Sequence, residues 1–413
     1  MWRILLTEFF SDLKSQKLRT FLTLMAITWG TFAVVILLSF GEGLSNQMIK
    51  GMLGAGNRIM MIYGGQTSIT YEGLEIGRRI RFVEEDIDLV SKTVPHIESI
   101  SPQYGRFTSI EAGSERTNTY MEGVNPDFEI MRTTYPAAGG RFLNENDVTY
   151  QRRVAFIGNN IAERLYGQEN PVGQEIMVDR TPFVVVGVME PKLQTGMNYG
   201  PDSDRVIIPY TTFRTMYGHR YLSSILLRPA DAAHQELINS EFRRVMAAKY
   251  KFDPSDQQAI RMWDFIEAEK MNRQVSLGLQ IFMLTIGLFT LIIAGVGVAN
   301  IMYVVVKERT QEIGIKKAVG ARKRHIVGQF IFESMMICII GGLIGILIAG
   351  GIVTGVQSLQ LDEGPGQFLG NPVLSYSTTI LTAGILTLIG LVAGVFPAFK
   401  AARVDPVESL RYE

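Results

Sequence analysis

The chain has 413 residues with 40 basic and 40 acidic side chains, and 47% of its residues are hydrophobic. So large an apolar fraction excludes an intrinsically disordered protein, and a net charge of zero gives no reason to expect nucleic acid as a partner. Cys338 is the single cysteine, so the chain must fold without an internal disulfide. The charges are unevenly distributed, and the long segments that lack them indicate the class of protein.

Four long segments are apolar and almost free of charge. A helix that crosses the hydrocarbon core of a bilayer needs about 20 apolar residues, because each residue advances it by about 1.5 Å. Each segment is long enough, and soluble proteins rarely bury uncharged helices of this length. The sequence therefore predicts transmembrane helices TM1 to TM4 within residues 20–41, 274–306, 326–357 and 376–399.

The basic residues predict the orientation of these helices. Lys and Arg are concentrated in residues 1–19, in the connection 307–325 and in the tail 400–413, whereas the short external loop 358–375 carries only acidic charges. Basic connections stay in the cytoplasm under the positive-inside rule. We therefore expect a multi-pass protein of the inner cell membrane, surrounded by the lipid bilayer, with both termini cytoplasmic. Apolar residues at helical spacing also predict an interfacial amphipathic helix within residues 1–19.

Residues 42–273 separate TM1 from TM2, and we expect them outside the cytoplasm. They mix strand-like and helical patterns, which predicts an extracytoplasmic α+β domain with two lobes. Residues 274–306 would form about 50 Å of helix, more than the hydrocarbon core requires, so the surplus predicts a stalk. The expected fold class is an α-helical membrane protein with four transmembrane helices plus a large α+β extracytoplasmic domain on a helical stalk.

Local patterns predict individual elements of this domain. Runs of β-branched and apolar residues predict strands at residues 58–63, 97–101, 154–157, 175–178, 183–189, 206–209 and 223–227. Helical spacing, acidic first turns and a terminal Gly predict helices at residues 83–91, 160–166, 232–249 and 256–271. No set of catalytic groups or metal ligands emerges among them, so we do not expect an enzyme.

The sequence contains no phosphate-binding loop of the form Gly-x-x-x-x-Gly-Lys-Ser/Thr. We therefore expect no cofactor in this chain, and any ATP and Mg²⁺ would be bound by a partner. The basic connection 307–325 suits such a partner, because it predicts a short amphipathic helix that ends at Gly320 and offers Ile313 and Ala318 to a groove. A basic loop that only sets the topology, without a partner, is the alternative.

Glu333 lies just inside TM3, where an unpaired carboxylate is costly. A basic partner such as Lys316, Lys317 or Arg19 would lower that cost, so we expect a clasp that holds the connection to the span. Simple reach of the side chain toward the lipid headgroups is the alternative. A carboxylate, a proline and an acid in the right order also predict a short tail helix that begins at Asp405.

Small residues in the spans permit close helix packing. They occur as pairs one helical turn apart, namely Gly341 with Gly345, Gly351 with Gly355, and Gly390 with Gly394. The pattern fits packing within one chain and a seam between two copies equally well.

Several motifs resemble one family. The connection 308–321 (ERTQEIGIKKAVGA) is very similar to the connection between the second and third spans of ABC transporter permeases of the macrolide-exporter (MacB-like) type, within the FtsX-like superfamily. Residues 17–23 (KLRTFLT) are similar to the family's opening, and residues 396–413 (FPAFKAARVDPVESLRYE) to its close. Shorter matches occur at residues 121–124, 139–142, 186–188 and 208–210, so the resemblance covers nearly the whole chain.

The resemblance implies a permease subunit that couples ATP hydrolysis by a separate ATPase to movement of the extracytoplasmic domain. By this mechanotransmission it would drive efflux of a drug, a peptide or a similar substrate. Two ATPase subunits and a second permease copy are implied as partners, and a periplasmic adaptor with an outer-membrane channel is allowed. Because residues 1–19 alone precede TM1, the chain resembles the version without a fused ATPase. The implied coupling residues are Glu308, Arg309, Glu312, Ile313, Gly314, Lys316, Lys317, Ala318 and Gly320.

Two other functions are compatible with the same spans. One is a permease that releases lipoproteins from the membrane. The other is an FtsX-like signalling regulator that activates a cell-wall hydrolase, although such relatives have a much smaller domain between the first two spans. The match of residues 308–321 and of the long domain favours the exporter type.

Overall fold

The computed structural model describes residues 17–196, 198–359 and 370–403. The chain divides into two compact units, one formed by Met1–Gln47 with Gln274–Glu413 and one formed by Met48–Arg273. We call the first the membrane unit and the second the α+β unit. The predicted interfacial helix, up to residue 16, and the tail helix from Asp405 lie outside the described residues.

Helices and strands alternate in the α+β unit, whereas the described part of the membrane unit is helical. In chain order the helices are α1 (Lys17–Ala55), α2 (Glu85–Thr93), α3 (Phe128–Met131), α4 (Glu145–Thr149), α5 (Asn159–Tyr166), α6 (Tyr210–Tyr217), α7 (Gln235–Tyr250), α8 (Phe265–Glu308), α9 (Thr310–Ala318), α10 (Lys323–Gln357) and α11 (Tyr376–Ala402). The strands are β1 (Met60–Gly64), β2 (Ile97–Ala112), β3 (Glu115–Val124), β4 (Val154–Ile157), β5 (Glu175–Val178), β6 (Thr181–Val188), β7 (Arg205–Pro209), β8 (Ser224–Pro229) and β9 (Ile260–Asp264).

Within the described residues, four helices are long and apolar enough to cross a membrane, namely α1, α8, α10 and α11. They contain the four segments that the sequence predicts as spans. Their shared core includes Ile27 and Val34 of α1, Leu291 of α8, Ile337 of α10 and Leu386 of α11. Apolar side chains outside this core face the surroundings, which suits helices that contact lipid.

Glycines bring three of the membrane helices close together. A Cβ atom at Gly345 of α10 would lie 2.7 Å from the carbonyl oxygen of Thr28 in α1, and one at Gly394 of α11 would lie 3.0 Å from the Cβ atom of Ser334. At both positions only a residue without a Cβ atom allows the observed approach. Two of the predicted glycine pairs therefore pack within this chain, whereas a Cβ atom at Gly351 or Gly355 would have no neighbour within 4 Å among the described residues.

The α+β unit is built on a mixed sheet that has nine strands in the described part of the chain, in the order β3-β7-β4-β6-β5-β2-β8-β1-β9. The long strand β2 pairs with its neighbours β5 and β8 and also with the end strand β3. The pairs β3–β7 and β4–β6 are parallel, and the other pairs are antiparallel. Together with the membrane helices, this sheet confirms the predicted fold class.

All seven predicted strands of the α+β unit occur, and six of them lie within a few residues of the expected bounds. The exception is β2, which starts at Ile97 as expected but continues to Ala112 instead of ending at residue 101. The sequence does not predict β3, whose polar residues hide the alternation of a strand, or β9. The helix predicted over residues 256–271 is wrong in its first half. Residues 260–264 pair with β1 as an edge strand, and the side chain of Asp264 then caps α8 by accepting a hydrogen bond of 2.8 Å from the amide of Ile266.

The hydrophobic core of the α+β unit includes two clusters of buried side chains. One contains Phe82 and Phe242, and the other contains Phe128, Phe142 and Phe156. The two-lobe organisation stays a prediction.

Candidate coupling site

The candidate site is the connection between α8 and α10. Helix α8 ends at Glu308, Arg309 separates it from α9, and α9 ends at Ala318, two residues before the predicted end. The chain then turns at Gly320, whose φ of 99° lies in the left-handed region that favours glycine. Helix α9 is therefore a short separate segment between two membrane helices.

The buried face of α9 packs against the membrane unit. Ile313 is only 3% exposed and belongs to the same core as Val306, Ile326 and Phe330. Gly314 is buried beside it. The expectation that Ile313 is available to a partner is therefore wrong, because its side chain anchors α9 to the neighbouring helices.

The exposed face of α9 carries a different set of residues. Gln311, Ile315 and Ala318 are exposed and lie at helical spacing. Val319, directly after the helix, is 85% exposed, and Ile315 is 49% exposed. Ala318 thus lies where the sequence predicts it, and the apolar residues that a partner could contact are Ile315 and Val319.

Arg309 is the centre of a charge network at the start of α9. Its guanidinium donates hydrogen bonds to Glu312 at 2.8 Å and to Glu333 at 3.1 Å, and it lies 5.7 Å from the ring centre of Phe330. Lys316 forms a second ion pair with the Glu312 carboxylate, at 2.8 Å. The hydrogen bond from Arg309, aided by Lys316, lowers the pKa of Glu312 to about 2, so this carboxylate is charged at any physiological pH.

Glu333 faces the connection from α10 and is 7% exposed. It accepts hydrogen bonds of 3.1 Å from the guanidinium of Arg309 and 3.1 Å from the side-chain Nε2 of Gln329. Among the described residues, the cation that forms an ion pair with Glu333 is therefore Arg309, not Lys316, Lys317 or Arg19 as the sequence predicts. Lys316 lies one step away, because its ammonium donates to Gln329 at 3.4 Å. The spacing of Gln329 and Glu333, four residues apart on one helix face, is a signal that could have been used.

Other residues tie the remaining two membrane helices, α1 and α11, to the same end of the membrane unit. Arg19 at the start of α1 forms two hydrogen bonds with Glu308, at 2.7 and 2.8 Å. Lys317 donates to the carbonyl oxygen of Ala402 in α11 at 3.1 Å. Lys400 of α11 contacts both the hydroxyl and the ring of Tyr303 in α8. The connection is thus linked to α1, α8, α10 and α11 at one end of the membrane unit.

The α+β unit contains a second charge cluster, which the sequence reasoning missed. Asp202 pairs with Arg132 at 2.7 Å and with Lys192 at 2.7 Å, and Glu122 pairs with Arg205 at 2.6 Å. Burial alone would raise the pKa of Asp202, but the surrounding cations outweigh it and hold the pKa well below its ordinary value. The cluster joins β3 and β7 to the segment that precedes β7.

Comparisons with known proteins agree with this architecture. Residues 20–245 match the MacB-like periplasmic core domain, and residues 284–406 match the FtsX-like permease C-terminal domain. Fold and connection together define an ABC transporter permease of the inner membrane. The chain belongs to the MacB-like family of these permeases.

Curated relatives match almost the whole length of the chain, and a solved structure matches about half of it. It is 31% identical over 406 residues to a macrolide export ATP-binding/permease protein MacB of Bdellovibrio bacteriovorus, covering 98% of this chain and 61% of that protein. It is 31% identical over 407 residues to a pyoverdine export ATP-binding/permease protein PvdT of Pseudomonas putida, covering 96% of this chain and 58% of that protein. The periplasmic region of MacB from Actinobacillus actinomycetemcomitans aligns with a TM-score of 0.43 and 17% identity, over 54% of this chain and 96% of that one. The chain thus spans about three fifths of the length of these curated relatives.

Proposed function

We propose that the chain is the permease subunit of an ABC exporter and that an ATP-binding chain docks on the exposed face of α9. The observation that carries this proposal is the pair Ile315 and Val319, four residues apart and both exposed on a connection rich in charged side chains. An exposed apolar pair with charged neighbours has the composition of an interface core with a polar rim. A short amphipathic helix that enters a partner's groove is a common mode of recognition.

The network around Arg309 supports transmission from α9 to the membrane helices. Arg309 links the start of α9 to Glu333 of α10. Separate contacts join Lys317 of α9 to α11 and the end of α8, next to Arg309, to α1. A displacement of α9 would therefore change contacts at all four helices. Helices α1 and α8 contribute residues to both units, so we propose that their movement reaches the α+β unit and drives export.

The proposed assembly contains two copies of this chain and two ATP-binding chains, which hold ATP and Mg²⁺. We place α9 and both termini in the cytoplasm and the α+β unit on the other side of the membrane. A periplasmic adaptor and an outer-membrane channel complete the assembly where the cell has an outer membrane. The relatives named above export a macrolide and pyoverdine, so we propose a macrolide such as erythromycin as the first substrate to test.

The variant Val319→Glu tests the docking face. The chain is purified from membranes of its source cell, and the co-purified ATP-binding protein and its ATPase activity are measured. We expect the wild-type chain to retain an ABC ATP-binding protein and Val319→Glu to lose about tenfold or more of it, because a buried carboxylate would meet an apolar groove. Tyr150→Glu, at a comparably exposed site of the α+β unit, is the matched control and should retain it.

Export is measured with the same variants as protection of cells against erythromycin. Loss of protection in Val319→Glu together with retention in Tyr150→Glu supports the proposal. Equal retention of the ATP-binding protein by Val319→Glu and wild type would overturn it.

A further inference from the structure

A groove opens between α1, α8 and α11 at the end of the membrane unit opposite to α9. Its volume is about 340 Å³. Leu38, Ile281 and Leu381 contribute an apolar wall, and Glu42, Gln280 and Thr378 contribute a polar end. The volume and the mixed lining match those of sites for small amphipathic molecules.

Glu42 differs from the other carboxylates of the membrane unit. In the part of the unit that the structure describes, Glu308, Glu312 and Glu333 each pair with an arginine. Glu42 instead accepts one hydrogen bond of 3.3 Å from the hydroxyl of Thr378, and among the described residues no Lys or Arg lies within salt-bridge distance of it. One end of the groove therefore carries an uncompensated negative charge.

The backbone around Glu42 holds this charge in place. The amide of Val373, which precedes α11, donates to the carbonyl oxygen of Ser39 at 3.0 Å. A Cβ atom at Gly43 would lie 3.0 Å from the Cα atom of Pro372, so α1 and this segment are in direct backbone contact. Ser375 caps α11 and lies 2.9 Å from the hydroxyl of Thr378. The polar end of the groove is therefore held by direct contacts between α1 and the segment that leads into α11.

The position of Glu42 along α1 places it at a membrane surface. About 23 residues separate it from Arg19, which corresponds to about 35 Å of helix, slightly more than the hydrocarbon core. The carboxylate thus lies near the boundary between headgroups and acyl chains. Attraction between charges is stronger there than in bulk water because the surroundings are less polar.

We propose that this groove binds a small cationic amphiphile from the adjoining leaflet. Its ammonium group would pair with Glu42 and hydrogen-bond to Gln280, while its apolar body would lie against Leu38, Ile281 and Leu381. A molecule of this class supplies the missing positive charge, whereas the uncharged segments 20–41, 274–306 and 364–399 of a second copy do not. The inference names a substrate class and in that sense rests on the proposed export function.

The test uses the full chain in phosphatidylcholine nanodiscs with radiolabelled dodecylammonium as the probe, and binding to empty nanodiscs is subtracted. We expect saturable binding whose Kd rises about tenfold or more in Glu42→Gln, the loss expected for one charge-assisted contact. Glu42→Asp keeps the charge and should retain binding within about threefold. Glu163→Gln, a charge removal at an exposed site of the α+β unit, is the matched control and should bind as the wild type does.

Thermal unfolding of each variant verifies that the substitutions leave the fold intact. Equal Kd values for wild type and Glu42→Gln would overturn the inference, as would equally strong competition by dodecyl sulfate. Disulfide formation between two copies of Ile281→Cys, with no probe bound, would assign the groove to a second copy and would also overturn it.

This binding assay is independent of the proposed coupling. It contains neither ATP nor the ATP-binding chain, so Val319→Glu should bind the probe as tightly as the wild type. If the probe binds at Glu42 but Val319→Glu retains the ATP-binding protein, the groove stands and the proposed docking face is refuted. If Val319→Glu loses the ATP-binding protein but the probe does not bind at Glu42, the groove alone is refuted.

Discussion

The charge networks of the two units differ in their exposure to solvent. In the α+β unit the side chains of Arg132, Asp202, Arg205 and Glu122 are at most 7% exposed. In the membrane unit, Arg19 and Glu308 are 31% and 41% exposed, and the pair of Arg309 with Glu333 is intermediate. The ion pairs are therefore shielded from water in the α+β unit and partly hydrated in the membrane unit.

The difference in solvent exposure matches the role that we propose for each unit. A buried charge that loses its partner is strongly unfavourable, so the cluster around Asp202 holds β3, β7 and the preceding segment in one arrangement. Partly solvated ion pairs exchange partners at little cost, because water compensates a charge that is released. The α+β unit is therefore suited to move as a rigid body, and the connection is suited to rearrange its contacts.

The largest expected effect is in the buried cluster. Asp202→Asn leaves Arg132 and Lys192 without their carboxylate and should lower the free energy of unfolding of the α+β unit by about 3–5 kcal/mol. Protease resistance of this unit in urea, measured on the intact chain in detergent, reports the change. Asp88→Asn, at an exposed carboxylate without a salt bridge in the described residues, is the control and should change it by less than about 1 kcal/mol. Equal effects of the two substitutions would contradict the assigned role of the cluster.

The cluster also predicts a dependence on pH. Because the folded protein lowers the pKa of Asp202, its stabilising contribution is complete above the ordinary value of about 3.9 and is lost as the pH falls below it. The wild type should therefore lose stability more steeply than Asp202→Asn when urea unfolding is repeated below pH 4. Parallel curves for the two proteins would show that Asp202 is not the responsible group.

An intermediate effect is expected for Arg309 and Glu333. A double-mutant cycle with Arg309→Gln and Glu333→Gln should give a coupling energy of about 1.5–3 kcal/mol, typical of a hydrogen bond between charged groups that are largely shielded from water. Thermal unfolding of the detergent-solubilised chain provides the four stabilities. A coupling energy near zero would show that this pair contributes no more than a solvent-exposed ion pair does.

The smallest effect is expected for Arg19 and Glu308. The same cycle with Arg19→Gln and Glu308→Gln should give less than about 1 kcal/mol and should weaken as salt is added. A coupling energy as large as that of Arg309 with Glu333, and independent of salt, would contradict the proposed difference between the rigid α+β unit and the adaptable connection.

The sequence predicts the membrane helices well because lipid imposes one simple requirement, a long segment without charge, and residues 20–41 meet it by themselves. The short strands β4 and β5 are predicted for a similar reason, because the residues within each strand are almost all apolar. Strand β9 was not predicted, because its pairing with β1 depends on residues far away in the sequence. Tertiary pairing there overrides a local helical pattern.

The candidate site shows the same limit. Its location between α8 and α10 follows from the basic residues and from the family resemblance. Which side chain of α9 is buried depends on the angle between α9 and its neighbours, so Ile313 could not be distinguished from Ile315 by spacing alone. The partner of Glu333 likewise depends on where the chain leaves α8, and Arg309 is the residue at that point.

The proposed export function requires the connection and the α+β unit to lie on opposite sides of the membrane. Cys338 is buried, and its replacement by Ser gives a background without cysteine, in which Tyr150→Cys and Val319→Cys each provide one exposed thiol. A membrane-impermeant maleimide is applied to intact spheroplasts and to permeabilised ones. We predict that Tyr150→Cys is labelled in both and Val319→Cys only after permeabilisation, and labelling of both thiols in intact spheroplasts would contradict the account.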